Sequence, residues 1–424
     1  MSAFWHPFAD MRVVRDAEVV IRRGDGVWIE DVAGRRYLDA TAALWYCNAG
    51  FGRREIAAAV AEQLERLVAY SSFGAYTSEP TVALAERLAD LSPIPDAVVF
   101  LGSGGSDAID TAAKLVRRYW DVIGRPEKRV IVSREHGYHG MHGWGTSLIG
   151  MPSMKAGYGG AFIDEVIHVG ALETEALGAL FTERAGEIAA FIGEPVIGAG
   201  GVIPPDPSYW GEVERLCREH DVLLVADEVI TGFGRTGMLW GSQRYGISPD
   251  LITFAKGVTS GYMPLGGVLV GRRVAEPFWE ASGGPGAVFR HGYTYSGHAG
   301  ACAAAMANLD IIERESLVAR VAALEPAFEA ALRSLEDAPL VGEVRAVGLM
   351  GAVALRPDVL AADPGLVERV VGAALERGVA TRVLRGHAIH VSPAFVITES
   401  EIAQLVDGLR GALEDVAASA PGQT

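Results

Sequence analysis

The chain has 424 residues, half of them apolar, which is enough to fill the cores of a large domain and a smaller one. Its balance of 37 basic against 53 acidic residues, a formal charge of −16, argues against a nucleic-acid binder and favours small-molecule partners. Three scattered cysteines form neither a disulfide framework nor a metal pattern, and the chain has neither a signal-like start nor an 18-residue apolar run, so we expect a cytoplasmic protein that does not span a membrane.

In chain order, "EIAAAVAEQLERL" from Glu55 and "TVALAERLADL" after Pro80 repeat apolar residues at helical spacing. Short apolar runs then alternate with helices. "AVVFL" (97–101) precedes "SDAIDTAAKLVRRYW", and "RVIVS" (129–133), "IAAFIGEP" (188–195), "DVLLVADEV" (221–229) and "DLITFAKG" (250–257) read as further strands. "GGVLVG" follows as another. Such alternation predicts an α/β domain whose mostly parallel sheet is covered by helices, with ligands bound beyond the C-terminal strand ends. After His298 come two long helices, then a smaller α+β portion with strands in "VGEVRAVGLMGAVAL", a helix at "GLVERVVGAALERG" and a last helix from Glu399. We expect a large domain at 50–310 and a small domain made of 311–424 together with the N-terminal segment 1–49. Low complexity is confined to the tail "ASAPGQT".

Four strand ends carry candidate chemistry. "GSGGS" (102–106) is a glycine turn before a helix, where backbone N–H groups and the helix dipole favour an anion, although such turns are also common as plain connections. "EHGYHG" places Tyr138 and His139 at the same edge, where an aromatic ring can stack on a flat ligand or simply fill core space. "VADEV" ends a buried strand with Asp227, a carboxylate that needs a cationic partner or serves as a turn cap. "LITFAKG" ends the next strand with Lys256, an ordinary surface cation or, once buried and uncharged, a nucleophile. Phosphate turn, ring support, acid and amine together match pyridoxal 5'-phosphate, which has a phosphate, a pyridine nitrogen and an aldehyde. The glycines after Lys256 are expected to leave room for that cofactor or for a partner subunit.

The ordered set "DATAALWYCNAGFG", "SGGSDAIDTAAKLVRRYWDV", "GYHG", "GEPVIGAGGVIPP", "LLVADEVITGFGRTG", "AKGVTSGYMPLGG", "HGYTYSGH" and "TRVLRGHAIHVSPAF" resembles the class III aminotransferases over nearly the whole chain, and within them the amine:pyruvate, or omega, transaminases. The resemblance implies a fold-type I pyridoxal-phosphate transferase working as a homodimer, with a tetramer as the larger alternative. It makes Lys256 the Schiff-base lysine and Asp227 the partner of the pyridine nitrogen. Val229 and Tyr138 would cover the two ring faces, with His139 and Glu194 beside the cofactor, Gly105 and Ser106 at its phosphate, and Thr294 reaching a phosphate across the dimer. Trp45 would line the substrate pocket and Arg382 would grip a substrate carboxylate. The implied reaction moves an amino group from a primary amine or omega-amino acid to a keto acid, pyruvate above all, in two half-reactions. A 2-oxoglutarate-dependent aminotransferase, an aminomutase, a decarboxylating member and a non-catalytic pyridoxal-phosphate sensor are the alternatives.

Three departures from the family pattern stand out. Ala199 replaces a glutamate that neutralises the mobile arginine in 2-oxoglutarate enzymes, which favours pyruvate. Gly104 and Asp107 stand at the phosphate turn where relatives carry a hydroxyl or amide residue and a glutamate, and fewer side-chain donors imply weaker cofactor retention. Arg385 is an added arginine, either solvated or a second carboxylate site.

Overall fold

The protein is described here by a computed structural model covering residues 2–159, 162–280 and 288–419, so the tail after Ser419 lies outside the described residues. Fifteen strands are present among these residues. They are β1 Ile21–Asp25, β2 Trp28–Asp31, β3 Arg36–Asp39, β4 Val98–Gly102, β5 Val130–Arg134, β6 Val166–Val169, β7 Ile188–Gly193, β8 Leu223–Asp227, β9 Leu251–Phe254, β10 Gly266–Val270, β11 Val341–Val347, β12 Met350–Leu355, β13 Val379–Ala380, β14 Val383–Leu384 and β15 Ala388–Val391.

Seven of these strands form one sheet in the order β4-β10-β9-β8-β7-β5-β6. All neighbours pair in parallel except β10, which runs antiparallel to both β4 and β9. The expected strands are all here, and β6 is one that the sequence pattern did not offer.

Both faces of this sheet are covered, which is why its strands read as continuous apolar runs rather than alternating ones. In β8, Leu223 and Val225 pack with Ile109, Ala112 and Val116 of the helix Gly105–Val122. The intervening Leu224 turns the other way, to Phe191 and to Trp210 and Val213 of the helix Tyr209–Glu219. Each residue therefore leaves water whichever way it points, at roughly 25 cal/mol per Å2 of apolar surface removed.

A four-stranded sheet, β1-β2-β3-β13, joins the first forty residues to the C-terminal part, with β13 parallel to β3. A second four-stranded sheet, β11-β12-β15-β14, is antiparallel. The helix Ala299–Arg314 packs on the helices Arg54–Arg66 and Glu79–Asp90, the helix Leu317–Arg333 packs on β11 and β12, and a single apolar cluster spans Leu38, Phe254, Leu309, Phe328, Val353 and Leu409. Among the described residues, no helix is long and apolar enough to cross a membrane, and no His, Cys, Asp and Glu cluster could hold a metal.

Candidate active site

Strands β4, β5, β7, β8 and β9 all end at one edge of the large sheet, and a cavity of about 200 Å3 lies there. Gly105, Ser106, Tyr138, His139, Glu194, Asp227, Val229 and Lys256 line it, joined by Leu44, Ile109, Gly140 and Ile230. Eight residues from five separate strand ends are thus brought to one enclosure.

Asp227 closes β8, and the β8–β9 register sets it opposite Thr253. Its Oδ1 accepts from Thr253 Oγ1 at 3.0 Å and from the Val229 N–H at 3.1 Å, and its Oδ2 lies 2.7 Å from His139 Nδ1. An ionised Asp227 is an acceptor only, which puts the imidazole proton on Nδ1. The other ring nitrogen, Nε2, is buried with no partner. Thr253 is a polar residue inside an apolar strand, a signal the sequence reading passed over.

Glu194 is almost wholly buried just past β7, with Oε1 accepting from the Tyr138 N–H at 3.0 Å and Oε2 from the Gly198 N–H at 2.8 Å. Burial raises its proton affinity, opposed by the nearby His139 and by those two N–H groups. Its visible work is to fix the backbone that carries Tyr138. Arg134 holds the same place from below by donating to the Glu194 carbonyl while its guanidinium lies against Tyr209 and Trp210.

Lys256 follows β9 with φ of +47°, a left-handed conformation costly for a residue with a Cβ. Asn308 restrains this turn by donating from Nδ2 to the Gly257 and Val258 carbonyls at 2.8 and 3.0 Å. The Lys256 amine has no hydrogen bond or ion pair among the described residues. Burial brings its pKa down to about 8, with Asp227 and Glu194 pulling the other way. A buried amine whose proton is held this weakly, at a cavity wall, is suited to condensation chemistry.

The glycines after Lys256 also make close approaches within this chain. A Cβ on Gly257 would fall 2.4 Å from Asn48 Nδ2, and one on Gly261 2.3 Å from Tyr46 Cδ2. One on Gly266 would meet the Gly104 carbonyl oxygen at 2.6 Å. They admit the N-terminal segment and the glycine turn of the same chain, because three pieces of backbone converge under the lysine.

That glycine turn, 102–106, feeds the helix Gly105–Val122, whose first-turn N–H groups have no intrahelical acceptor. A Cβ on Gly105 would sit 2.9 Å from Val229 Cγ1, so the turn and the β8 end pack as closely as backbone allows. Ser106 Oγ accepts from the Met141 N–H at 3.1 Å. Asp107 is occupied locally, accepting from the Ser103 N–H at 2.7 Å and facing His142 Nε2 at 2.9 Å.

Trp45 and Arg382 stand at the rim. The Trp45 indole is 2% exposed, with the Lys256 amine 6.0 Å and the Arg382 guanidinium 4.5 Å from its ring centre. Its Nε1 donates to Ser392 Oγ at 3.2 Å, and its ring lies 4.0 Å from that of His390. Burial lowers the Arg382 pKa to about 10. Arg382 has no carboxylate partner among the described residues, and Ala199 packs into the apolar cluster around Trp45. His390 is a buried histidine in an apolar strand that the sequence reading did not single out.

Trp45 and Arg382 stand beside the cavity without lining it, and two further expected residues lie apart from it. Thr294 is exposed on a loop of this chain. Arg385 is exposed at the β14–β15 turn and lines a separate surface cavity of about 360 Å3 with His136, Lys155 and His168.

The residues fit pyridoxal phosphate. A free buried amine, a thrice-held carboxylate, a glycine-cradled helix start and an aromatic and an aliphatic wall match its aldehyde, ring nitrogen, phosphate and ring faces.

Comparison with known proteins gives the family and the fold. The family model described as Aminotransferase class-III matches residues 11–413. The chain is 37% identical to the putrescine–pyruvate aminotransferase of Pseudomonas aeruginosa, over 97% of this chain and 94% of the relative. It is 39% identical to the diaminobutyrate–2-oxoglutarate transaminase of Halomonas elongata, over 91% and 88%. An amine transaminase from an uncultivated Pseudomonas species, solved in its PLP-bound form, superposes with a TM-score of 0.92 at 37% identity, over 98% of this chain and 99% of that one.

Proposed function

The chain belongs to the class III aminotransferases, fold-type I enzymes that use pyridoxal phosphate to pass amino groups between small amines and keto acids, and we propose that its acceptor is pyruvate and its donor a primary amine or omega-amino acid. The observation that carries this reading is Arg382 on its Trp45 plate with no acidic partner beside it. An arginine free of a neutralising glutamate is available to a short keto acid at once. Where Ala199 stands, no carboxylate competes for it.

When bound, pyridoxal phosphate supplies an aldehyde that captures amines and a protonated ring that draws electrons from the substrate carbon. Asp227, pinned by Thr253, His139 and the Val229 N–H, keeps a proton on the ring nitrogen. Lys256 would hold the aldehyde, and its amine, when free, would take and return the proton at the substrate carbon. Tyr138 and Val229 would cover the ring and Gly105 and Ser106 would receive the phosphate, with Glu194 and His139 holding the residues around them in place. Arg382 offers a planar two-point fork to the keto-acid carboxylate. The exposed Thr294 suits a homodimer in which each subunit completes the other's phosphate site, in the cytoplasm.

The test is a set of amine donors, putrescine among them, offered to the loaded enzyme with pyruvate or with 2-oxoglutarate. Alanine formation without release of carbon dioxide is expected with pyruvate. Faster glutamate formation from 2-oxoglutarate overturns the acceptor, and carbon dioxide release points to a decarboxylating member.

A further inference from the structure

Arg382 touches a second group besides Trp45. Its Nε lies 3.3 Å from Nδ1 of His390, on the strand opposite, and the two residues face each other because the His390 N–H donates to the Arg382 carbonyl at 3.0 Å. His390 is fully buried and tilted at 40° against the Trp45 indole. The three side chains form one stack with guanidinium and imidazole both on the indole.

The hydrogen bond fixes the chemistry of the ring. An arginine Nε–H can only donate, so Nδ1 must be the unprotonated nitrogen and the imidazole must be neutral. Its proton then sits on Nε2, which is buried and has no partner. Burial and the neighbouring cations Arg382 and Arg235 keep this ring from taking a second proton. An orphaned buried N–H costs stability, so a phenylalanine or leucine would pack here at less expense. Only the bond to Arg382 uses anything that a histidine has and an apolar ring lacks.

That bond takes the Nε–H and leaves the two terminal NH2 groups without partners among the described residues. Those are the groups that grip a carboxylate at two points. We propose that His390 is a positioning residue for substrate selection: it anchors Arg382 by Nε against Trp45, so that the terminal fork is presented to carboxylate-bearing substrates. It therefore acts on the keto-acid half-reaction through the arginine and touches no reacting atom.

This inference rests on the assignment of Arg382 to the substrate carboxylate. The experiment compares His390→Phe, which keeps a ring against Trp45 but lacks the acceptor, with His390→Asn, whose Oδ1 can stand near the place of Nδ1. Each variant is loaded with pyridoxamine 5'-phosphate for single-turnover reaction with pyruvate and with pyridoxal 5'-phosphate for reaction with benzylamine, a donor without a carboxylate, and its cofactor absorbance and Tm are recorded. The expected result for His390→Phe is a loss of roughly tenfold to a hundredfold in kcat/KM for pyruvate, mostly in KM, that exceeds the benzylamine loss at least tenfold. His390→Asn should recover most of the pyruvate loss, and a purely structural role would move Tm and both half-reactions together. Equal losses in both half-reactions, no loss in either, or absence of rescue by asparagine overturns the proposal. Arg382→Ala run alongside separates the two ideas: if it shows no pyruvate-specific loss, the carboxylate assignment has failed, and if it does while His390→Phe does not, only the anchoring role has failed.

Discussion

His139 and Asp227 face each other at the end of the large sheet, Nδ1 to Oδ2 at 2.7 Å, with both side chains almost fully removed from water. A buried carboxylate keeps its charge only where donors compensate it, and here Thr253 and the Val229 N–H supply two more. Asp227→Asn preserves the shape and removes the charge. We expect both half-reactions to slow by on the order of 10²- to 10³-fold, corresponding to about 3 to 4 kcal/mol of lost transition-state stabilisation. Stopped-flow traces of each half-reaction check this, and a variant within tenfold of the parent would remove Asp227 from its role.

Lys256→Ala should abolish turnover while leaving some pyridoxal phosphate bound, since the glycine turn and Asp227 remain. The parent should absorb in the visible region when loaded. A colourless parent or an active alanine variant contradicts the assignment of the amine.

The same amine makes stability depend on pH in the cofactor-free protein. Burial sets its folded pKa at about 8, against 10.5 when solvated. The unfolded chain therefore binds more protons across that window, and folding grows more favourable as pH rises through it, by about 3 kcal/mol in all. Urea midpoints of the cofactor-free parent should climb from pH 8 upward, and Lys256→Met should flatten that rise.

Arg382→Ala removes a guanidinium fork beside the cavity whose terminal NH2 groups have no partner among the described residues. The keto-acid half-reaction should lose about 2 to 5 kcal/mol, or roughly tens to thousands of fold, and benzylamine far less. Equal losses for both substrates, measured as kcat/KM, would show that the arginine serves packing alone.

Gly140 has φ of +82°, and a Cβ there would lie 2.5 Å from Ser106 Oγ and 2.8 Å from Ser106 Cα. Gly140→Ala should destabilise the fold by about 1 to 3 kcal/mol and push the start of the phosphate helix outward, raising the cofactor Kd roughly tenfold. Calorimetry with pyridoxal phosphate reads both effects.

Much of the site was legible in the sequence because its members occupy a repeated kind of place. Asp227 and Lys256 each end an apolar run, and in a parallel sheet such ends share one edge, so chain order alone put acid and amine together. Thr253 and His390 stayed hidden for the opposite reason. Each is one polar residue within a short strand, and its partner, Asp227 or Arg382, is set by strand register rather than by spacing. The strand β1, "IRRGD", carries two arginines and an aspartate on an exposed edge and so lacks the apolar signature of the buried strands.

What the sequence determined by itself was the class of protein and its reactive groups, since apolar periodicity fixes which segments leave water and their ends fix where a ligand sits. Tertiary structure alone decided what those groups touch. It set the glycines after Lys256 against Asn48, Tyr46 and Gly104, left Thr294 outside its own cavity and laid Arg382 and His390 together on Trp45. Close packing between segments hundreds of residues apart depends on the joint placement of backbones, and no local pattern encodes that placement.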